Sequence, residues 1–291
     1  MDFITLKAYA KINLALDVIG KRSNGYHDVR MIMQTIKLYD KVTINKTSGE
    51  DIHIKTNLHY LPTNENNIVY QAAKLFKEMY RINDGLHINL EKRIPVAAGM
   101  AGGSADAAAT LTGLNLLFHQ ELPLQELMKL GVRLGADVPY CLLGGTALSE
   151  GIGEILTPLI PAPNFHCLIV KPPVSVSTKF VYDNLSLSKE QPHPDIDGMV
   201  TAIKTGNAEG ITSRLGNLLE TVTLKVHPEI NEIKEEMLSL GAINSLMSGS
   251  GPTVFGLFTS AAAAEKAFYS FKVGSYGKQT FLTQFYQPNN A

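Results

Sequence analysis

The residues best suited to chemistry lie in Pro95-Val96-Ala97-Ala98-Gly99-Met100-Ala101-Gly102-Gly103-Ser104-Ala105. Glycine lets a backbone turn tightly and bring successive N–H groups toward one point. An uncharged run from Ala107 to Phe118 follows and suits a buried helix. A helix opening directly behind such a loop adds the positive end of its dipole. Phosphate is the natural ligand for that combination. The segment contains neither GxxxxGK[ST] nor GxGxxG, so it is not a Walker A loop and is a poor dinucleotide fingerprint. A tight connection in front of a buried helix reads equally well from the same composition.

Four other places carry side chains suited to a reaction. Lys11 sits between apolar neighbours in KAYAKINLAL. A lysine on a strand usually keeps its head in water; aimed inward, it becomes a fixed positive charge. Asp137 stands in LGADVPY, after an apolar run and before a proline. Aspartate is common in surface turns, and a rigidly held carboxylate suits general-base work. Ser23-Asn24-Gly25-Tyr26-His27 is a turn followed by two rings. It reads either as a stacking face with hydrogen-bonding groups or as a hairpin turn with one ring on the core. Ser248-Gly249-Ser250-Gly251-Pro252 runs into TVFGLF and reads as a second anion loop or as a plain tight connection.

Other chemistries find little support. The eight histidines are scattered, without HExxH or paired CxxC, which argues against zinc. No GxSxG elbow is present. Lysine plus arginine is 26 against 27 acids, a net charge of −1, and no basic stripe carries interleaved aromatics, so nucleic acid is a poor partner. Cys141 and Cys167 are too few for a disulfide scaffold and lie in apolar stretches, as buried free thiols would. The N-terminus lacks the basic-then-apolar layout of a signal peptide. The longest apolar stretch near membrane length, residues 155–170, is interrupted by Pro158, Pro161 and Pro163. The expectation is a cytoplasmic protein with no membrane partner.

The elements that must hold these residues can be read from periodicity. Residues 3–19 and 29–46 read as strands. Ile68, Ala72, Phe76 and Tyr80 recur every fourth residue behind a polar helix-start cluster at 63–67. Residues 87–90 alternate as a strand, and Leu124, Leu127 and Leu134 mark a helix ending near Gly135. Pro139 disfavours helical geometry at Val138, which leaves Ala136 and Asp137 in a turn. The Pro-rich stretch 158–163 reads as a linker, and 186–195 as a loop. Beyond the linker, 166–170, 253–259 and 280–285 read as strands, and 261–271 as a helix. A further helix opens at Pro228, presents Ile230, Ile233, Met237 and Leu240, and ends at Gly241. With 45% hydrophobic and 18% charged residues there is ample material for a core. The reading is α+β or α/β, in two lobes joined near residue 160.

Taken together, KAYAKINLAL with SNGYHDV, PVAAGMAGGSADAAA and SGSGPTVF resemble the GHMP kinases, named for galactose, homoserine, mevalonate and phosphomevalonate. The first segment and LGADVPYCL resemble the branch that acts on a methylerythritol carrying a diphosphocytidyl group. The motifs span residue 7 to about 256. The resemblance implies an α+β, two-domain GHMP-kinase fold, with domains 1–160 and 161–291 and the active site in the cleft between the lobes. It implies that ATP, with Mg2+, phosphorylates the 2-hydroxyl of that small molecule in the non-mevalonate route to isoprenoids, in a monomer or a homodimer. Lys11 and Asp137 match the family's active-site pair, with Asp137 taking or orienting the hydroxyl proton and Lys11 keeping Asp137 ionised. Residues 95–105 match the ATP loop. Asn13, Tyr26 and His27 match substrate contacts, with Tyr26 stacking on cytosine and His27 bonding its polar edge. Tyr182 falls where the family places a second ring, and Asn67 and Ile68 fall near the adenine.

The chain departs from the family's common GLGGGSS, reading GMAGGSA instead. Met100 replaces a leucine of similar size. Ala101 adds a methyl where a positive φ would cost energy. Ala105 removes a second hydroxyl, which leaves Ser104 as the loop serine able to meet a metal or phosphate. A mevalonate- or homoserine-type kinase and a non-catalytic ligand-binding relative are the competing readings. The Tyr-His pair favours an acceptor with a base, and retention of both Lys11 and Asp137 favours catalysis.

Overall fold

The computed structural model of the chain describes residues 2–188 and 190–288. These fall into two compact units. One holds the residues up to Ala10, Leu38–Val96 and Ala101–Leu143; the other holds Lys11–Lys37, Ala97–Met100 and the chain from Gly144 onward. The boundary expected near residue 160 therefore lies inside the second unit. Two long strands, β1 (Phe3–Lys21) and β2 (His27–Thr47), each contribute residues to both units. The proline-rich stretch is not a free linker either. The Leu159 N–H donates to the Thr146 carbonyl at 2.9 Å, and the Ala162 N–H to Thr146 Oγ1 at 3.3 Å.

In the first unit, Lys41–Thr47 of β2 pairs antiparallel with β4 (Gly85–Glu91), which pairs parallel with β3 (Ile52–Thr56). Between β3 and β4 runs α1 (Ile68–Tyr80); after β4 come α2 (Gly102–Leu117), α3 (Leu124–Val132) and α4 (Val138–Leu143). The four-residue spacing read in α1 is a buried face: Ala72 and Phe76 are fully enclosed, and Ile68 and Tyr80 flank them. A ring buried like that of Phe76 stabilises by roughly 2–3 kcal/mol. Apart from Asp106, α2 carries no charge, and burial of nearly every residue from Ala105 to Leu117 explains that composition. Val138 corrects an expectation. It opens α4 despite Pro139, because a proline in the first turn has no intrahelical N–H bond to lose. Ala136 and Asp137 do sit in the turn before it.

In the second unit, Met31–Gln34 of β2 pairs with β5 (Thr146–Glu150), which continues into β6 (Ile155–Pro158). Downstream lie β7 (His166–Val170), α5 (Thr178–Asp183), α6 (Ile196–Lys204), α7 (Ala208–Thr212), β8 (Gly216–Asn217) and α8 (Glu220–Val226). They are followed by α9 (Glu229–Ser239), β9 (Asn244–Met247), β10 (Val254–Phe258), α10 (Ala261–Val273) and β11 (Thr280–Gln284). Ala15 and Leu16 of β1 pair parallel with β8. A separate antiparallel sheet has the order β11-β7-β10-β9. Its central strand β10 is buried at every residue, which explains its unbroken apolar run. Cys167 on β7 is enclosed, and burial raises its thiol pKa; Cys141 is only half-buried. Among the described residues, no helix is long and apolar enough to cross a membrane.

Candidate active site

The loop before α2 is left-handed at every second residue: Ala97 has φ +50°, Gly99 +70° and Ala101 +55°. Alternation of this kind turns successive N–H groups toward one side and makes a concavity for an anion. Ala101 is the residue preceding the helix, and no side chain caps the first turn of α2. Its first N–H groups are therefore available to a ligand. A left-handed alanine costs about 1–2 kcal/mol. The methyl that marks Ala101 as a departure in the sequence thus sits where a glycine would be unstrained. Gly102 has no such φ. It opens α2, and a Cβ there would lie 3.0 Å from Ile94 Cγ2 and 3.4 Å from Lys92 Nζ.

The middle of the loop is braced from two directions. The Lys11 N–H donates to the Met100 carbonyl at 3.2 Å. Ser248 Oγ donates to the Gly99 carbonyl at 3.0 Å. A Cβ on Gly99 would collide with the Ser248 carbonyl oxygen. Ser248 and its neighbours are held in turn by Asn217, whose Nδ2 donates to the Met247 and Gly249 carbonyls, each at 2.8 Å. The second Gly-Ser loop therefore supports the first.

Lys11 is 5% exposed, so its place on β1 is inward rather than wet. Its Nζ donates to Asn13 Oδ1 at 2.8 Å, and Asn13 Nδ2 reaches Met31 Sδ at 3.4 Å. Two of the predicted residues are thus joined by a buried hydrogen bond. Asp137 is half-buried in the turn before α4, where its carbonyl accepts the Cys141 N–H at 3.0 Å.

His27 lies beside Tyr182 of α5, with ring centroids 5.0 Å apart and planes at 34°. Tyr26, expected to be the stacking ring, is 59% exposed. Burial, aided by the charge of Lys21, lowers the His27 pKa against the opposing pull of Asp183. That favours the neutral imidazole, which offers one donor and one acceptor.

Asn67 caps α1: its Oδ1 accepts the Val69 N–H at 2.9 Å, and its Nδ2 donates to the Pro62 carbonyl at 2.7 Å. Its amide is engaged in structure. Ile68 Cγ2 lies 3.6 Å from where a Gly103 Cβ would be, which places this segment beside the start of α2.

One group of residues was not foreseen. Lys92 Nζ, buried, donates to Asp40 and, at 2.6 Å, to Asp106 Oδ2. Singly, each reads as an ordinary surface charge. The available signal was Asp106 itself, an acid standing in an otherwise uncharged helix right behind the loop.

Mg2+ prefers oxygen ligands, keeps waters and is usually held through substrate phosphates. Among the described residues no cluster of three or more His, Cys, Asp or Glu could cage it. Ser104, half-buried on the first turn of α2, offers one oxygen, which fits an ion carried in by a nucleotide.

The chain belongs to the GHMP kinases, small-molecule kinases that use ATP as phosphate donor: residues 67–145 match the GHMP kinases N terminal domain and residues 199–272 the GHMP kinases C terminal domain. Within that family it is 71% identical, over 100% of both chains, to the 4-diphosphocytidyl-2-C-methyl-D-erythritol kinase of Lachnoclostridium phytofermentans. It is 53% identical to the kinase of that name from Lachnospira eligens, over 99% of this chain and 100% of the other. A crystal structure of 4-(cytidine 5'-diphospho)-2C-methyl-D-erythritol kinase superposes with a TM-score of 0.84 at 32% identity, covering 98% of this chain and 100% of that one.

Proposed function

We propose that the chain transfers the γ-phosphoryl group of ATP to the 2-hydroxyl of 4-diphosphocytidyl-2-C-methyl-D-erythritol, giving the 2-phosphate and ADP, in the non-mevalonate route to isoprenoid precursors. The observation that carries this reading is the full-length 71% identity with a kinase of that name. The left-handed alternation at 97–101 supports residues 95–105 as the nucleotide-phosphate cradle. Phosphoryl transfer asks a protein mainly for positioning and charge stabilisation.

In this reading the 2-hydroxyl oxygen bonds to the γ-phosphorus as the bridging P–O bond breaks and ADP leaves. The hydroxyl proton passes to the Asp137 carboxylate. Lys11, fixed through Asn13, keeps positive charge near the reacting oxygens. His27 and Tyr182 hold the cytosine, the ring of one beside the other, and Tyr26 contributes from the exposed side. Asn67 and Ile68 shape the approach of the adenine from the start of α1. Ser104 would offer a protein oxygen to a Mg2+ ion carried in by the nucleotide, which would supply charge to offset that of the phosphates.

The product's connectivity tests the reading. With ATP and this substrate, 31P NMR should show a new phosphomonoester on the tertiary 2-carbon and an intact diphosphate bridge. A phosphate on a primary or secondary carbon would refute the assignment of the accepting hydroxyl.

A further inference from the structure

The loop at 95–101 is an excursion between two segments tied to the same buried charges. On the approach side, Asp40 Oδ1 accepts the backbone N–H groups of Arg93 and, at 2.8 Å, Ile94. Asn57 holds the residue before them at both ends: its Oδ1 accepts the Lys92 N–H at 2.7 Å and its Nδ2 donates to the Lys92 carbonyl at 3.0 Å. On the departure side, Lys92 Nζ bridges from Asp40 to Asp106 on the second turn of α2. The bare Cα of Gly102 lies directly over Lys92 and Ile94. Asp40 is wholly enclosed and Asp106 is 2% exposed, and Asp106 Oδ1 has no hydrogen-bond partner. A core built for stability alone gains little from such charges, since well-packed apolar side chains of similar volume often do as well or better.

We propose that Asp40, acting through Lys92 and the backbone at 93–94, is a positioning residue for the nucleotide loop: it fixes both feet of the loop so that its N–H groups converge before ATP arrives. The inference rests on the loop being the phosphate cradle. A cradle pre-formed in this way spares the nucleotide the ordering of seven residues, so its loss falls on ATP affinity. The acceptor site and the chemical step are touched only through the nucleotide.

The test compares wild type with Asp40→Asn and Asn57→Ala by amide hydrogen exchange and steady-state kinetics. In wild type, saturating ATP should slow exchange at 95–104. Without nucleotide, Asp40→Asn should exchange residues 95–101 at least tenfold faster than wild type. It should raise the ATP KM about tenfold and leave the acceptor KM and kcat within about threefold. Asn57→Ala, which keeps every buried charge paired, should show the same split at roughly threefold, and decides the matter if Asp40→Asn does not fold. Faster exchange throughout β4 and α2 with an unchanged ATP KM would mean a purely structural role and overturn the proposal. So would equal losses for both substrates. If ATP does not protect 95–104 in wild type, the cradle reading itself fails; if it does and both variants behave as wild type, only this proposal fails.

Discussion

The Lys11 backbone N–H meets the Met100 carbonyl at 3.2 Å, while the same residue's ammonium meets Asn13 Oδ1 at 2.8 Å. One residue thus joins β1, the middle of the proposed nucleotide loop and a proposed acceptor contact. Lys11→Met keeps the backbone bond and removes the charge. Its kcat should fall by about 10²–10³-fold, the usual cost of a lost transition-state donor, with ATP affinity within a few-fold. A kcat within twofold of wild type would take Lys11 out of the reaction.

Gly99 faces both a φ of +70° and the Ser248 carbonyl. Gly99→Ala should cost about 2–4 kcal/mol in chemical denaturation, from the left-handed alanine and the overpacking together. Ser248→Ala, which removes only a hydrogen bond, should cost about 1 kcal/mol. No cost from Ser248→Ala would mean that its hydrogen bond to the Gly99 carbonyl does not brace the loop.

His27 beside Tyr182 predicts how the base is read. Stacking on an aromatic ring is worth about 1–3 kcal/mol per base. Tyr182→Ala should therefore lower kcat/KM for the cytidine substrate by roughly 5–150-fold at about 1.4 kcal/mol per decade, with the ATP KM little changed. His27→Ala should also narrow the preference for the cytidine over the uridine form. Tyr26→Ala, at an exposed ring, should have the smallest effect of the three. A larger effect of Tyr26→Ala would restore it as the principal stacking ring.

Burial lifts the Asp106 carboxyl well above the ordinary carboxylate range, against the pull of Lys92 and with the charge of Asp40 adding to it. For a raised folded pKa, the stabilisation is complete below the unfolded value, near 4, and is gone once the pH has risen through the folded value. Asp106→Asn cannot ionise there and can still accept from Lys92. Relative to this variant, wild type should lose stability as pH rises above about 4, measured by urea denaturation at several pH values. A flat difference, or one of opposite slope, would contradict the raised carboxyl.

The candidate site is legible in the sequence where unusual residues stand together. The glycine-alanine run at 95–105, the strand lysine and the turn aspartate stand out by composition, and Ala101, which departs from the family's glycine, is left-handed. The strands β1, β2, β7, β10 and β11 and the helices α1, α2, α3, α9 and α10 followed from periodicity. What the sequence does not reveal depends on long-range pairing. Residue 160 reads as a boundary because prolines punctuate it, yet its surroundings are tied to Thr146. The shortest elements, β8 at two residues and β9 at four, are too brief for a pattern. Asp40, Lys92 and Asp106 are separated by 52 and 14 residues, so nothing local reveals a shared buried ion cluster.

The most direct test of the central claim is ADP release from the wild-type protein with ATP, Mg2+ and each of three acceptors: 4-diphosphocytidyl-2-C-methyl-D-erythritol, mevalonate and homoserine. A site that reads a base and a diphosphate rejects acceptors lacking them strongly, because its polar groups are then left unpaired. The kcat/KM for the diphosphocytidyl compound should exceed the other two by at least about 10³-fold. Comparable turnover of mevalonate or homoserine, or no turnover of the diphosphocytidyl compound, would contradict the account.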